Sequence, residues 1–160
     1  MPTSLAVEQS ISVRATPDRI LQAFFDPRDL AVWWRAVRSV TVARPLGTYA
    51  VEWADREFAD ELLGTLGGTF HAVVVDYRAG SEFFLGEAYW SPPSGEAIGP
   101  MALEVHCVAI PNSAETRVTV RQSAEDEGPR WQRYFQVIGP GWQTALADLK
   151  RFLEQETNNQ

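Results

Sequence analysis

The amino-terminal part of the chain changes from a strand pattern to a helix pattern. Apolar side chains alternate through LAVEQSISVRA, residues 5–15, with a slip near residues 8–10, which predicts a strand carrying a β-bulge. Thr16 is suited to cap a helix, and the Asp26-Pro27 pair to end it. A second short helix is predicted over PRDLAVWWR, residues 27–35.

The middle of the chain alternates with a period of two, which is typical of half-buried strands. Turn-forming residues divide it into predicted strands at 40–42, 49–53, 69–77, 83–90, 101–110 and 116–122. The longer segment REFADELLGTLGG, residues 56–68, is predicted to form a helical turn that packs on a sheet edge.

The carboxyl-terminal pattern is helical from Pro129 onward, since apolar residues recur at steps of three and four as far as Leu153. Gly139-Pro140-Gly141 falls inside this pattern. Proline removes a backbone donor there, which predicts a kink or a short break. Residues 154–160 are expected to form a frayed tail.

This order of elements predicts an α+β fold. We expect a seven-stranded antiparallel sheet curved around the long C-terminal helix, with two short helices between strands 1 and 2. The chain shows no internal repeat or linker, so residues 1–160 are interpreted as a single domain. A curved sheet leaves space beneath the helix that it wraps, and a functional site is expected there.

Alternation also assigns the faces of some strands. In residues 101–109 the apolar side chains share one face, while Glu104 and His106 share the other, so His106 is predicted to lie on the outer face beside opposite charges. In the strand at 49–53, Tyr49 and Trp53 are predicted to point inward.

Two strands leave the assignment of faces open. Residues 69–77 are apolar on both faces, so His71 has no predicted direction. Glu87 would lie in the cavity with a raised pKa in one of two alternatives for the strand 83–90. Either Phe84, Ala88 and Trp90 face the helix, which we favour, or Phe83, Leu85, Glu87 and Tyr89 do.

The composition of the chain argues against several classes of function. The chain has 160 residues and a net charge of −7 without a basic cluster, which argues against binding to nucleic acid or to anionic membranes. It has no apolar run long enough for a signal peptide or a membrane span, so we expect a cytoplasmic protein. The lone Cys107 and two distant histidines provide no metal site, and no cofactor motif occurs.

Four segments resemble one known family. They are ISVRATPDRILQAFFDPRDLAVWW at 11–34, LGTYAVEW at 46–53, ETRVTVRQS at 115–123 and GWQTALADLKRFLE at 141–154. Together they resemble the START-like, birch-pollen-allergen-like (SRPBCC) superfamily. The branch is the one named after the ATPase activator of the 90-kDa heat-shock chaperone. This resemblance implies a helix-grip fold. Many members carry histidine near the end of the last strand, where this chain has Gln122.

The resemblance implies three functions, which the residues do not separate on their own. The leading hypothesis is non-catalytic binding of a small hydrophobic or aromatic molecule between helix and sheet. The first alternative is an enzyme of the cyclase or hydratase kind, for which His71, Glu87 and Tyr89 are the candidate proton donors and acceptors. The second alternative is a protein-interaction role, such as stimulation of a chaperone ATPase, and a homodimer is a further expectation.

Aromatic residues supply the candidate binding site, since the chain has six tryptophans and the first half of the last helix is rich in rings. Trp33 and Trp34 are neighbours in a predicted helix, so their rings should point about 100° apart, one into the cavity mouth and the other outside. Gln122 is expected to act as a polar anchor. The full set of predicted ligand-binding residues is Trp34, Tyr49, Trp53, Trp90, Gln122, Trp131, Tyr134, Phe135, Ile138 and Trp142.

Overall fold

A computed structural model describes residues 5–57, 59–125 and 128–158 of the chain. Its helices are α1 (Pro17–Phe25), α2 (Pro27–Trp33) and α3 (Pro129–Asn158). Its strands are β1 (Leu5–Val13), β2 (Arg38–Thr41), β3 (Thr48–Trp53), β4 (Ala59–Asp60), β5 (Gly64–Thr65), β6 (Gly68–Arg78), β7 (Glu82–Ser91), β8 (Ile98–Ala109) and β9 (Thr116–Ala124).

The main sheet has the strand order β1-β9-β8-β7-β6-β3-β2, and every neighbouring pair is antiparallel. The described residues therefore form a seven-stranded sheet with α1 and α2 between its first two strands and α3 packed on one face. This arrangement confirms the predicted α+β helix-grip fold. None of the helices in the described ranges is both long and apolar enough to cross a bilayer.

The predicted helix signals between β1 and β2 are confirmed. The Thr16 hydroxyl accepts a hydrogen bond from the Arg19 N–H at 3.1 Å and caps α1. Asp26 ends α1 and also caps α2, since its Oδ1 accepts from the Arg28 N–H at 2.8 Å. The bulge predicted in β1 is wrong, because the pairing with β9 continues without a shift from Leu5 to Val13.

Strand β7 contains the bulge that the sequence pattern concealed. Between the pairs Val73–Gly86 and His71–Tyr89, β7 has one residue more than β6. Glu87 has a φ of 47° at this point, and the inward face changes parity there. Neither predicted alternative is therefore correct as a whole: Phe83 and Leu85 are buried before the bulge, and Ala88 and Trp90 after it.

The segment 56–68 does not form the predicted helical turn. It contains the short antiparallel strands β4 and β5, which make a separate two-stranded sheet. Gly64 and Gly67 have φ values of 86° and 106°, a region that glycine enters without steric cost. We call residues 54–67, which connect β3 to β6, the β4–β5 hairpin.

Of the predicted kink or break in the last helix, the break is wrong, since α3 is continuous through Pro140. The kink stays a prediction. Pro140 and Gln136 are both exposed, so water can bind the Gln136 carbonyl that proline leaves without its helical partner. The helix also extends beyond the point where we expected fraying. Glu154 accepts a hydrogen bond from Lys150 within α3 at 3.0 Å. Glu156 binds Arg19 at 3.0 Å, and this ion pair fixes the last turn to α1.

The second half of α3 is structural, as its aliphatic pattern predicts. Leu146, Leu149 and Leu153 are at most 1% exposed and belong to the core. Phe152 is half-buried beneath the Arg19 guanidinium, which lies 5.8 Å from the ring centre. The core is therefore closed at this end of the helix, and the space described next lies toward the other end.

Candidate functional site

A cavity of about 590 Å³ lies between α3, the sheet, the end of α2 and the β4–β5 hairpin. Its walls are mainly apolar, and exposed Arg35, Asp55 and Arg56 line it where it opens to solvent. Because α3 stands away from the sheet here, the fold has the hollow that the helix-grip resemblance implies.

Most of the predicted binding residues meet at this cavity. Those that line it are Trp34, Trp53, Trp90, Gln122, Tyr134, Ile138 and Trp142. The other three do not contribute to the lining. Tyr49 is fully buried and donates a hydrogen bond to the Phe24 carbonyl at 2.8 Å, Phe135 packs edge-on against Tyr134 at 5.6 Å, and Trp131 packs against the core elsewhere.

The paired tryptophans do not diverge as helical geometry predicts. The rings of Trp33 and Trp34 are stacked, with centroids 4.9 Å apart and planes 7° apart, and both line the cavity. Trp34 is the C-cap of α2 and keeps a right-handed helical backbone, with a φ of −103° and a ψ of −3°. Rotation of the side chains, rather than a change in the backbone, therefore brings the two rings together. Trp34 then contacts Trp53 edge-on at 5.1 Å and Trp142 at 5.2 Å.

Protein acceptors already bind the polar edges of the wall tryptophans. Trp53 donates its indole N–H to the Trp34 carbonyl at 3.0 Å, and Trp90 donates to the Gly67 carbonyl at 2.8 Å. Trp142 donates to the Gln122 Oε1 at 2.9 Å. The rings are therefore fixed by hydrogen bonds at their edges, which leaves flat apolar surface for the cavity.

Gln122 is the polar centre of the wall and is only 2% exposed. Its Oε1 accepts from Trp142, while its Nε2 donates to the Tyr134 hydroxyl at 3.1 Å and to the Met101 Sδ at 3.3 Å. The expected polar anchor is thus already engaged with the protein. Burial raises the pKa of Tyr134 well above its usual range, so the phenol remains neutral.

The candidate catalytic residues lie on the opposite face of the sheet. His71 and Glu87 are exposed, and Tyr89 stacks on His71 with ring centres 5.5 Å apart. The β7 bulge is the physical cause, because it turns Glu87 outward between the buried Leu85 and Ala88. The enzyme alternative required at least one of these three side chains in the cavity, and none of them lines it.

The remaining titratable candidates also lie apart from the cavity. His106 is on the outer face as predicted, where its Nδ1 lies 2.6 Å from Glu82 Oε2, and Glu104 lies 3.6 Å from Arg121. Cys107 faces the core, and burial raises the pKa of its thiol to about 12. Within the described ranges no group of three or more His, Cys, Asp or Glu side chains could hold a metal ion.

The β4–β5 hairpin supplies wall residues that the sequence did not reveal. Leu63 and Leu66 line the cavity, and Leu63 is 2% exposed. Asp60 holds the turn, since its Oδ1 accepts from the amides of Leu62 and Leu63 at 3.0 and 3.2 Å. The Asp60 Oδ2 accepts from Arg133 Nε on α3 at 2.7 Å.

The fold and the cavity indicate the class of protein. This is a helix-grip protein with an apolar hollow between its last helix and its sheet, and helix-grip domains are in general a ligand-binding architecture. The family model described as Activator of Hsp90 ATPase homolog 1-like protein matches residues 14–154. The chain therefore belongs to this family, as its sequence motifs predict.

Several solved structures share the fold. Protein Ms6760 from Mycobacterium smegmatis is 15% identical with a TM-score of 0.72 and is matched over 95% of this chain and 92% of that one. The Aha1 dimer from Colwellia psychrerythraea is 14% identical with a TM-score of 0.64, over 91% and 93% of the two chains.

DynU16, a protein of the dynemicin biosynthetic locus, is 21% identical with a TM-score of 0.63. The match covers 93% of this chain but 47% of that one. At these identities the likeness establishes the fold alone. No curated protein matches the chain.

Proposed function

We propose that this protein binds a small apolar or aromatic molecule, without transforming it, in the cavity beneath α3. The observation that carries the proposal is a hollow of about 590 Å³ walled by tryptophan faces. Pockets of roughly 300–1,000 Å³ with mainly apolar walls and few polar groups are typical of small-molecule sites. Rings that already satisfy their own N–H groups present hydrophobic surface without a desolvation cost.

The same wall argues against catalysis. An enzyme of the cyclase or hydratase kind needs a proton donor or acceptor within reach of its substrate. His71 and Glu87 are exposed on the far face of the sheet. Of the charged groups on the lining, Arg35, Asp55 and Arg56 are exposed, and Asp148 is paired with Arg151 at 3.1 Å. We therefore favour reversible binding over turnover.

A cavity-filling variant tests the proposal. Ile138 lines the cavity and is only half-buried, so Ile138→Trp should occupy the hollow with little strain elsewhere. Gln136→Trp on the exposed side of the same helix is the matched control. We expect 2-ethylnaphthalene to quench or shift the tryptophan fluorescence of the wild type and of Gln136→Trp in a saturable way, but not that of Ile138→Trp.

Equal titration curves for all three proteins would place binding outside the cavity and contradict the proposal, as would a flat curve for the wild type.

The homodimer remains a proposal supported by the Colwellia relative, which is a dimer by its description. Light scattering on the purified chain tests it. Chaperone-ATPase activation also remains a proposal, supported by the family description alone.

A further inference from the structure

The hydrogen bonds around Gln122 have a fixed direction. An indole N–H can only donate, so the atom that faces Trp142 at 2.9 Å must be the amide oxygen. The amide nitrogen of Gln122 then faces Tyr134 and Met101, at 3.1 and 3.3 Å. Both hydrogens of this NH₂ group are used by these two contacts.

The oxygen of the Tyr134 hydroxyl therefore accepts a hydrogen bond from Gln122. The hydrogen of the same hydroxyl remains available to be donated to another group. The phenol stays protonated because the ring is 5% exposed and burial disfavours the charged form. Among the described residues, the Tyr134 hydroxyl has one hydrogen-bond partner, the Gln122 amide, and none that accepts its proton. Since Tyr134 lines the cavity, the acceptor must come from whatever occupies the hollow.

The other donors of the inner wall are already committed. The indole N–H groups of Trp33, Trp53 and Trp90 donate to backbone carbonyls at 2.8, 3.0 and 2.8 Å. Trp34 also lines the cavity, and it is half-buried, whereas Tyr134 is only 5% exposed. Of the donors on the lining whose protons are not bound within the described residues, the Tyr134 hydroxyl therefore belongs to the more deeply buried side chain.

We infer that the ligand carries a hydrogen-bond acceptor oxygen, such as a ketone or an ether, on an otherwise apolar body, and that the Tyr134 hydroxyl donates to it. This inference rests on the proposed function and adds the chemical class of the ligand. A pure hydrocarbon would leave the phenolic proton without a partner, whereas a ketone of the same shape would satisfy it. Tyr134 then acts as a specificity determinant rather than as an acid.

A pair of near-isosteric probes tests the inference. 2-Acetylnaphthalene has the acceptor, and 2-ethylnaphthalene lacks it. Both are titrated by isothermal calorimetry into the wild type, Tyr134→Phe and a control, Tyr77→Phe, which removes a hydroxyl from a half-buried ring outside the cavity. We expect Tyr134→Phe to weaken the ketone by about tenfold and to change the hydrocarbon less than twofold. Tyr77→Phe should change neither.

The outcomes separate the two proposals. If both probes bind and Tyr134→Phe affects them equally, the inference is overturned and the proposed function stands. If neither probe binds the wild type, the proposed function fails and the inference fails with it.

A second readout does not depend on the folding of the variant. In the wild-type complex, the infrared carbonyl stretch of bound 2-acetylnaphthalene should lie at a lower wavenumber than in an alkane solvent. A carbonyl band at the alkane position would overturn the inference.

Discussion

Arg133 Nε on α3 donates to Asp60 Oδ2 on the β4–β5 hairpin at 2.7 Å, across a sequence separation of 73 residues. The Asp60 side chain is 5% exposed, while that of Arg133 is 40% exposed. Leu63, three residues after Asp60, lines the cavity. This pair therefore connects the helix above the hollow to the hairpin that closes one side of it.

Arg133→Met should loosen the hairpin, because it keeps the aliphatic stem and removes the guanidinium that binds Asp60. We expect faster hydrogen exchange at the amides of Leu62 and Leu63 and faster ligand dissociation. The control is Arg151→Met on the same helix, whose partner Asp148 belongs to α3 itself. Unchanged exchange at both amides would show that Arg133 does not hold the hairpin.

The same pair predicts a dependence on pH. The Arg133 guanidinium and the amides of Leu62 and Leu63 lower the pKa of Asp60. When folding lowers the pKa of a carboxyl group, that group stabilises the folded protein at every pH above its pKa in the unfolded chain, which is about 4. This stabilisation is lost as the pH falls through the pKa of the group in the folded protein. Exchange protection of the hairpin should therefore persist at neutral pH and decrease only below about pH 4. In Arg133→Met the decrease should begin at higher pH.

Gln122→Leu should lower the free energy of unfolding strongly, although it changes the volume of the side chain little. It removes the acceptor of the Trp142 N–H and the donor to Tyr134, both in a wall that is at most 7% exposed. Each buried polar group left without a partner costs about 1–3 kcal/mol. Urea unfolding should show a lower midpoint with an unchanged slope. Ser123→Ala, one position along β9 on the outer face, is the control and should change the midpoint little.

Cys107 should be chemically inert in the folded protein. It is 4% exposed, and burial raises the pKa of its thiol to about 12, so the reactive thiolate is scarce at neutral pH. Iodoacetamide should label the chain in urea but leave the native protein unmodified, as mass spectrometry would reveal. Rapid labelling of the native protein would mean that the core opens around β8.

Glu156→Gln should weaken the attachment of the end of α3 to α1. Glu156 binds Arg19 at 3.0 Å, and Arg19 also binds Asp29 on α2 at 2.7 Å. The loss should be no more than about 1 kcal/mol, because Glu156 is partly exposed. Its pKa is lowered by Arg19, so the difference from wild type should vanish as the pH falls below about 4. Glu125→Gln, at an exposed position, is the control.

The sequence predicted the fold because its strongest signals are local. The Thr16 cap and the Asp26-Pro27 boundary depend on neighbouring residues alone, and both are confirmed. The faces of β8 were also predictable, because its pairing with β9 has no shift from Ala102 to Ala109. Inward residues there are separated by two positions throughout.

The assignments failed where one extra residue changes the parity of a strand. Phe83 and Trp90 are both buried, although they are seven positions apart and a regular strand would place them on opposite faces. A bulge at Glu87 resolves this, but strict alternation cannot locate it. The face of the sheet on which His71 lies became clear only from the pairing of β6 with β7, in which His71 is opposite Tyr89.

The candidate site was predictable in composition but not in geometry. Gln122 and several tryptophans were expected, yet the partners that fix the Gln122 amide are on a helix 12 and 20 residues later. The hairpin wall was missed for a related reason. Asp60 is held by Arg133, a tertiary contact that leaves no periodic signal in residues 56–68.

The stacked indoles of Trp33 and Trp34 give the protein an intrinsic spectroscopic probe. Two parallel chromophores with centres 4.9 Å apart couple their electronic transitions, so their circular dichroism depends on their mutual orientation. Because both rings lie on the cavity wall, a guest that tilts either one would alter this exciton signal. Occupancy of the hollow could then be followed spectroscopically in the unmodified chain, even with guests that neither absorb nor fluoresce.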